Sequence, residues 1–111
     1  MKDGIYHVRF SSSMGSAGEG LVVIKEGMVN GGDAGYLYIG QLSHTAEALT
    51  GNLKIKRWKH GHTSVFGPLD SFDLKLSGPK SEGNSFSVSG GMIDHPGVSI
   101  KIAGDFLANA A

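Results

Sequence analysis

The stretch Ser71-Phe72-Asp73-Leu74-Lys75-Leu76-Ser77 sets Phe72, Leu74 and Leu76 against Asp73 and Lys75 at every second position. Side chains on an extended chain alternate between faces, so this is the pattern of a half-buried β-strand. Residues 85–92 repeat it, with Phe86, Val88 and Met92 against Ser87 and Ser89. Residues 98–106 set Val98, Ile100, Ile102 and Phe106 against Ser99, Lys101 and Asp105. Toward the N-terminus, residues 4–10 alternate Tyr6, Val8 and Phe10 with His7 and Arg9, and residues 49–59 alternate Leu53 and Ile55 with Lys54 and Lys56.

Two segments are apolar on both faces: Leu21-Val22-Val23-Ile24 within residues 20–25, and Tyr36-Leu37-Tyr38-Ile39 within residues 36–42. A strand without a polar face is covered outside as well as inside, by another element or another subunit. If the tyrosines point inward, Leu37 and Ile39 lie outside, next to either Leu21 and Val23 or Val22 and Ile24. This predicts a homodimer interface of Leu37, Ile39, Leu21 and Val23. Residues 59–70, with Val65, Phe66 and Leu69, are the competing cover. A short strand at Met28-Val29-Asn30 is reached through a turn at Glu26-Gly27, and Gly31-Gly32-Asp33 is expected to end it.

The 111 residues suffice for one domain, 1–111, with one core. The 18 glycines are about twice the usual share. Interleaved with β-branched and aromatic residues, they fit hairpins and bends of a coiled sheet rather than disorder. Turn chemistry recurs at Gly78-Pro79-Lys80-Ser81-Glu82-Gly83 and at Asp94-His95-Pro96-Gly97. No helix is supported, and about eight short strands joined mainly by tight turns favour an all-β, antiparallel up-and-down barrel, with a β-sandwich as the next choice.

Ten basic residues balance ten acidic ones, so no overall charge draws the chain to nucleic acid or anionic membrane. The absence of cysteine excludes disulfide frameworks and thiolate metal sites. Met1-Lys2-Asp3 passes almost directly into a strand pattern, and the aliphatic run at 21–24 is too short for a bilayer span. The expected location is the cytoplasm.

Several stretches, in order, resemble the GrlR-type negative regulators of type III secretion genes. They are Lys2-Asp3-Gly4-Ile5-Tyr6, Gly18-Glu19-Gly20, Gly31-Gly32-Asp33, Tyr38-x-Gly40-x-Leu42, Ser64-Val65-Phe66-Gly67, Asp73-Leu74-x-Leu76 and Pro96-Gly97-Val98. Gly4-x-Tyr6 is also similar to the Gly-x-Trp that opens lipocalins. The resemblance implies a lipocalin-like barrel, dimerisation, a hydrophobic interior and regulation through contact with a partner regulatory protein. In one branch of that family the contact is associated with four alternating acidic residues after a Leu-Ser pair. Here Leu42-Ser43 is followed by His44-Thr45-Ala46-Glu47, and only Glu47 retains a carboxylate at that partner-binding position.

Enzymatic signatures are missing. His60-Gly61-His62 offers two imidazoles where zinc takes three or four convergent ligands, so no metal site is assigned, and no cofactor either. His7, His44 and His95 read as surface and turn residues. Gly15-Ser16-Ala17-Gly18-Glu19-Gly20 lacks the lysine and the following helix of a phosphate loop. There is no nucleophile elbow or zincin motif, and Asp33, Asp70 and Asp105 read as turn caps. Lys54, Lys56 and Trp58 share a face as in single-strand binders, but lysines also keep an exposed strand soluble, and with zero net charge direct nucleic-acid binding is not expected. No catalytic residue is assigned. The expected interior carries glycine beside apolar residues at Gly40, Gly51, Gly90 and Gly104. These either open a cavity for a small apolar ligand, lined by Tyr6, Phe10, Tyr38, Leu53, Ile55, Phe72, Phe86 and Ile100, or relieve strain where strands bend. The sequence reading is thus a non-enzymatic regulatory or binding protein acting by protein contact, the alternative being a carrier of a small hydrophobic ligand.

Overall fold

A computed structural model describes residues 1–13, 15–59, 70–81, 83–93 and 95–111. Eight strands follow one another: β1 (Gly4–Ser12), β2 (Ala17–Lys25), β3 (Met28–Gly32), β4 (Tyr36–His44), β5 (Ala48–Arg57), β6 (Ser71–Pro79), β7 (Ser85–Met92) and β8 (His95–Ala108). Each pairs antiparallel with the next, and β8 returns to β1, closing an up-and-down barrel. Closure removes the sheet edges that would otherwise template aggregation.

Local chemistry explains the tightest hairpin. Lys25 pairs with Met28, leaving only Glu26 and Gly27 between β2 and β3. Both central residues have positive φ, 52° and 83°, which is the primed-turn geometry that matches the twist of the flanking strands. Glycine adopts this conformation freely, and Glu26 is held in it by its N–H donating to Asp3 Oδ1 at 2.9 Å.

The alternation sets the register throughout. Phe72, Leu74, Phe86, Val88, Ile100 and Ile102 are buried inside, whereas Lys75, Ser87, Ser89, Ser99 and Lys101 are exposed and Asp73 is partly so. The core is closed by Tyr6, Phe10, Val22, Ile24, Tyr36, Tyr38, Leu49 and Ile55, and no polar or charged residue is buried among the described residues. An apolar interior under a largely polar wall is the reverse of a transmembrane barrel, whose lipid face is apolar. No helix among the described residues is long and apolar enough to cross a membrane.

Some expected boundaries move. Gly31 and Gly32 belong to β3, paired with Val22 and Leu21 on one side and Tyr38 and Leu37 on the other, so Asp33 alone ends the strand. Gly18 and Gly20 are already in β2, opposite Phe10 and Val8, so the strand starts at Ala17 and only Gly15 and Ser16 of the glycine-rich stretch stand outside it. His95 opens β8 opposite Met92, which shortens the expected four-residue turn. In each case a residue with turn propensity is kept in the ladder by its neighbours' hydrogen bonds.

The glycines of the inner register do not leave open space. A Cβ on Gly104 would fall on the Phe86 ring opposite it, and one on Gly20 would lie 2.8 Å from Tyr38 Cε2. At Gly40 and Gly90 the added carbon would meet the carbonyl oxygens of Asn52 and Lys75 on the next strand, and at Gly51 it would lie 2.8 Å from Leu42 Cδ2. These positions are glycine because a ring covers them or a neighbouring backbone bends close.

Candidate functional site

The outer face of β2, β3 and β4 is the most distinctive surface of the barrel. Val22, Ile24, Tyr36 and Tyr38 take the interior, which turns Leu21, Val23, Leu37 and Ile39 outward. The pairing aligns them in two rows. Ile5, Val23, Asn30, Ile39 and Lys54 lie side by side across β1 to β5, as do His7, Leu21, Gly32, Leu37 and Lys56. Met28, beside Gln41, extends the apolar area. Leu21 is 52% exposed, Met28 53%, Ile39 44%, Val23 39% and Leu37 37%. The outward positions of β3 are Met28, Asn30 and the side-chain-free Gly32, so no side chain stands between Leu21 and Leu37.

The borders of this face differ in charge. On the β5 side stand Lys54 and Lys56, with Lys54 Nζ 3.8 Å from Asp73 Oδ1. On the β1 side His7 Nε2 lies 2.9 Å from Glu19 Oε2, and Arg9 pairs with Asp105 at 2.7 Å. Asp3 is exposed at the same border, and Lys25 stands at the corner beside Met28.

A second cluster closes one end of the barrel. Asp33 Oδ1 accepts the backbone N–H groups of Gly35 and Tyr36, both at 2.8 Å, and its other oxygen accepts the phenolic hydroxyl of Tyr38. The Trp58 indole donates to the Asp33 carbonyl at 3.1 Å, and Arg57 donates to the Tyr36 hydroxyl at 2.7 Å. Arg57 Nε lies 3.0 Å from Asp70 Oδ1 without being aimed along it, so this is a charge pair rather than an aligned hydrogen bond. Burial first, then the hydrogen bond and charge of Asp33, hold the Tyr38 phenol far above its ordinary pKa. Apart from Arg57 Nε, which has only its charge pair, the polar groups named here are hydrogen-bonded within the fold, so the cluster reads as a plug.

The β4–β5 turn is tied by Thr45, whose Oγ1 accepts the N–H of Ala48 at 3.0 Å and of Glu47 at 3.4 Å. Glu47 is exposed at its tip. The Met1 ammonium lies 3.2 Å from His44 Nδ1. Desolvation, then this ammonium and Lys80, lower the His44 pKa.

Over residues 1–110 the chain matches the family described as T3SS negative regulator, GrlR, where T3SS is the type III secretion system. The chain belongs to the GrlR family. No curated protein matches it closely enough to be named as a relative. Family membership agrees with the resemblance read from the ordered motifs, and the all-antiparallel barrel agrees with a lipocalin-like fold.

Against this GrlR frame, the expected site residues separate. Tyr6, Phe10, Tyr38, Leu53, Ile55, Phe72, Phe86 and Ile100 all lie in the one core cluster. The expected outward set, Leu21, Val23, Leu37 and Ile39, lies together on one face. Asp33 caps a turn, whereas Asp105 stands within β8 paired with Arg9 and is not a turn cap; Asp70 pairs with Arg57, and the connection before it lies outside the described residues. Among the described residues no group of three or more His, Asp or Glu could hold a metal. His60-Gly61-His62, Val65, Phe66 and Leu69 lie outside the described residues. The bond between Arg57 and Tyr36 is not legible in the sequence, because a strand's alternation does not give the register that sets these two residues opposite each other on β4 and β5.

Proposed function

We propose that this GrlR-family chain is a non-enzymatic, cytoplasmic negative regulator that works as a homodimer, through protein contact. The observation that carries the reading is the contiguous aliphatic face of Leu21, Val23, Met28, Leu37 and Ile39 on the outside of a closed barrel. Burying a fully exposed side chain of this kind contributes about 1.5–3 kcal/mol; these are 37–53% exposed, so each gives about half of that, and five in each copy can offset much of an association cost of roughly 4–15 kcal/mol. The family supports the regulator part of the reading, and the apolar face supports the dimer.

The carrier alternative has less support. The volume spared by the inward glycines is taken by the Tyr38 and Phe86 rings and by neighbouring backbone. A groove lined by Gln41, Asn52, Lys75 and Ser89 together with Leu76, Met92 and Ile93 is open to solvent, unlike the enclosed interior that the carrier reading expects. Sedimentation of the wild-type protein and of the Leu37→Lys/Ile39→Lys variant tests the proposal. A wild-type dimer that becomes a folded monomer in the variant supports it. A wild-type monomer at micromolar concentration defeats it.

A further inference from the structure

We propose that the outer wall of β4 to β7 carries a binding site for a sugar bearing one anionic group, phosphate or carboxylate. This site is independent of the dimer proposed above. The strand register sets Ser43, Thr50, Ser77 and Ser89 side by side, with Lys101 of β8 next in line. Gln41, Asn52, Lys75 and Gly91 form the neighbouring row. The side chains of both rows point outward and are exposed. They line a hollow of about 810 Å³, a volume suited to a small molecule. Gly91 puts no side chain beside Lys75, and the strand bulges between Gly91 and Met92, which bends the wall at that point. Beyond Gly90 and Gly91 a second hollow of about 500 Å³, with Ser99 and Lys101 in its lining, continues the trough.

The donor set names the ligand class. Lys75 has Asn52 and Gly91 as its lateral neighbours, and among the described residues it makes no ion pair. Asp73, two residues along the same strand, is taken by Lys54. The ammonium is thus left for an anion from outside. Serine and threonine hydroxyls and the amides of Gln41 and Asn52 both donate and accept, which is what the hydroxyls of a sugar require. Leu76, Met92 and Ile93 supply an apolar part of the lining for its C–H face. A nucleotide asks for an aromatic ring on which to stack its base, and a protein partner for Trp, Tyr or Arg anchors. The lining of the hollow contains none of these. A bare inorganic anion would engage Lys75 and leave the array of amides and hydroxyls idle.

Backbone-amide NMR of the full chain, titrated with glucose 6-phosphate and with glucuronate, tests this site and tells the two anions apart. Millimolar sugar is expected to shift the amides of Asn52, Lys75, Ser89 and Gly91, and the sugar that binds more tightly names the anionic group. Lys75→Gln is expected to weaken binding about tenfold, the loss of one hydrogen bond to a charged group, whereas Lys56→Gln, outside the hollow, leaves it unchanged. Asn52→Leu is expected to weaken the sugar without affecting whatever inorganic phosphate binds. These side chains are exposed, and the same spectra report that each variant is folded. Absence of shifts with both sugars overturns the site. So does binding indifferent to Lys75→Gln, and so does inorganic phosphate that binds as tightly as glucose 6-phosphate, which would leave a plain anion contact.

Discussion

The Tyr38 hydroxyl, at the end of a side chain with no exposed surface, donates to the carboxylate of Asp33 five residues before it in the chain. Asp33 thereby joins a turn to the core: the same carboxylate holds the N–H groups of Gly35 and Tyr36. The ring of Tyr38 packs 4.9 Å from that of Phe10 and covers Gly20. One side chain thus fixes the β3–β4 connection and fills the barrel at that end.

Tyr38→Phe is expected to destabilise the fold by about 1.5–3 kcal/mol, the range for a hydrogen bond to a charged group. Asp33→Ala is expected to cost more, since it releases two backbone donors as well. The double variant should fall short of the sum, because both substitutions remove one shared bond. Urea unfolding of the four proteins at neutral pH measures this directly.

The same contact makes a pH prediction. The Tyr38 phenol has its folded-state pKa raised by burial and by Asp33, and that of Tyr6 is raised chiefly by burial. Their contribution to stability is complete below the ordinary tyrosine value near 10 and is lost as pH rises above it, where the unfolded chain gives up protons that the folded chain retains. Stability should therefore fall through the alkaline range, less steeply in Tyr38→Phe. Ultraviolet titration should detect ionisation of the Tyr38 phenol only with unfolding.

Gly104 and Phe86 face each other as a cross-strand pair, and the ring occupies the space of the missing side chain. Gly104→Ala is expected to cost about 1–3 kcal/mol through overpacking, and Phe86→Ala about 3–5 kcal/mol through lost burial. Combined, they should cost less than the sum, since removing the ring frees room for the methyl. Additive losses in thermal unfolding would mean that the ring swings away at little cost.

Much of this barrel is legible from the alternation alone. Residues 71–77, 85–92 and 98–106 each read unambiguously because a half-buried strand carries its inside and outside in its sequence. The outward face of β4 was equally legible, since two tyrosines and two aliphatics cannot all be inside. Whether Leu21 or Val22 faces out was not, because both rows of β2 are aliphatic; pairing of Tyr6 with Val22 settles it. The plug of Asp33, Tyr36, Tyr38 and Arg57 was illegible for a different reason. Its members are separated by up to 24 positions, and they meet through the β4–β5 register that sets Arg57 opposite Tyr36, which alternation does not specify. The glycines were ambiguous in sequence because a cavity and a ring lying over a glycine spare the same volume.

The β4–β5 turn carries the last prediction. In the branch of the family with four alternating acidic residues after Leu-Ser, that run is associated with binding a partner regulator. Here the corresponding residues are His44, Thr45, Ala46 and Glu47, and the turn is closed on itself by Thr45. Its surroundings are cationic: the Met1 ammonium touches His44, and Lys80 adds to the field that lowers the pKa of that imidazole. Clustered charge accelerates encounter and penalises wrong partners, and one exposed glutamate beside three basic groups does neither for a partner adapted to an acidic run. This chain is therefore expected to fail to retain that partner in a pull-down at physiological salt. Replacing His44, Thr45 and Ala46 by acidic residues should raise retention, and lowering the ionic strength should strengthen the effect. Tight retention by the wild-type chain would place the contact elsewhere on the barrel, with the aliphatic face of β2 and β4 as the next surface to mutate.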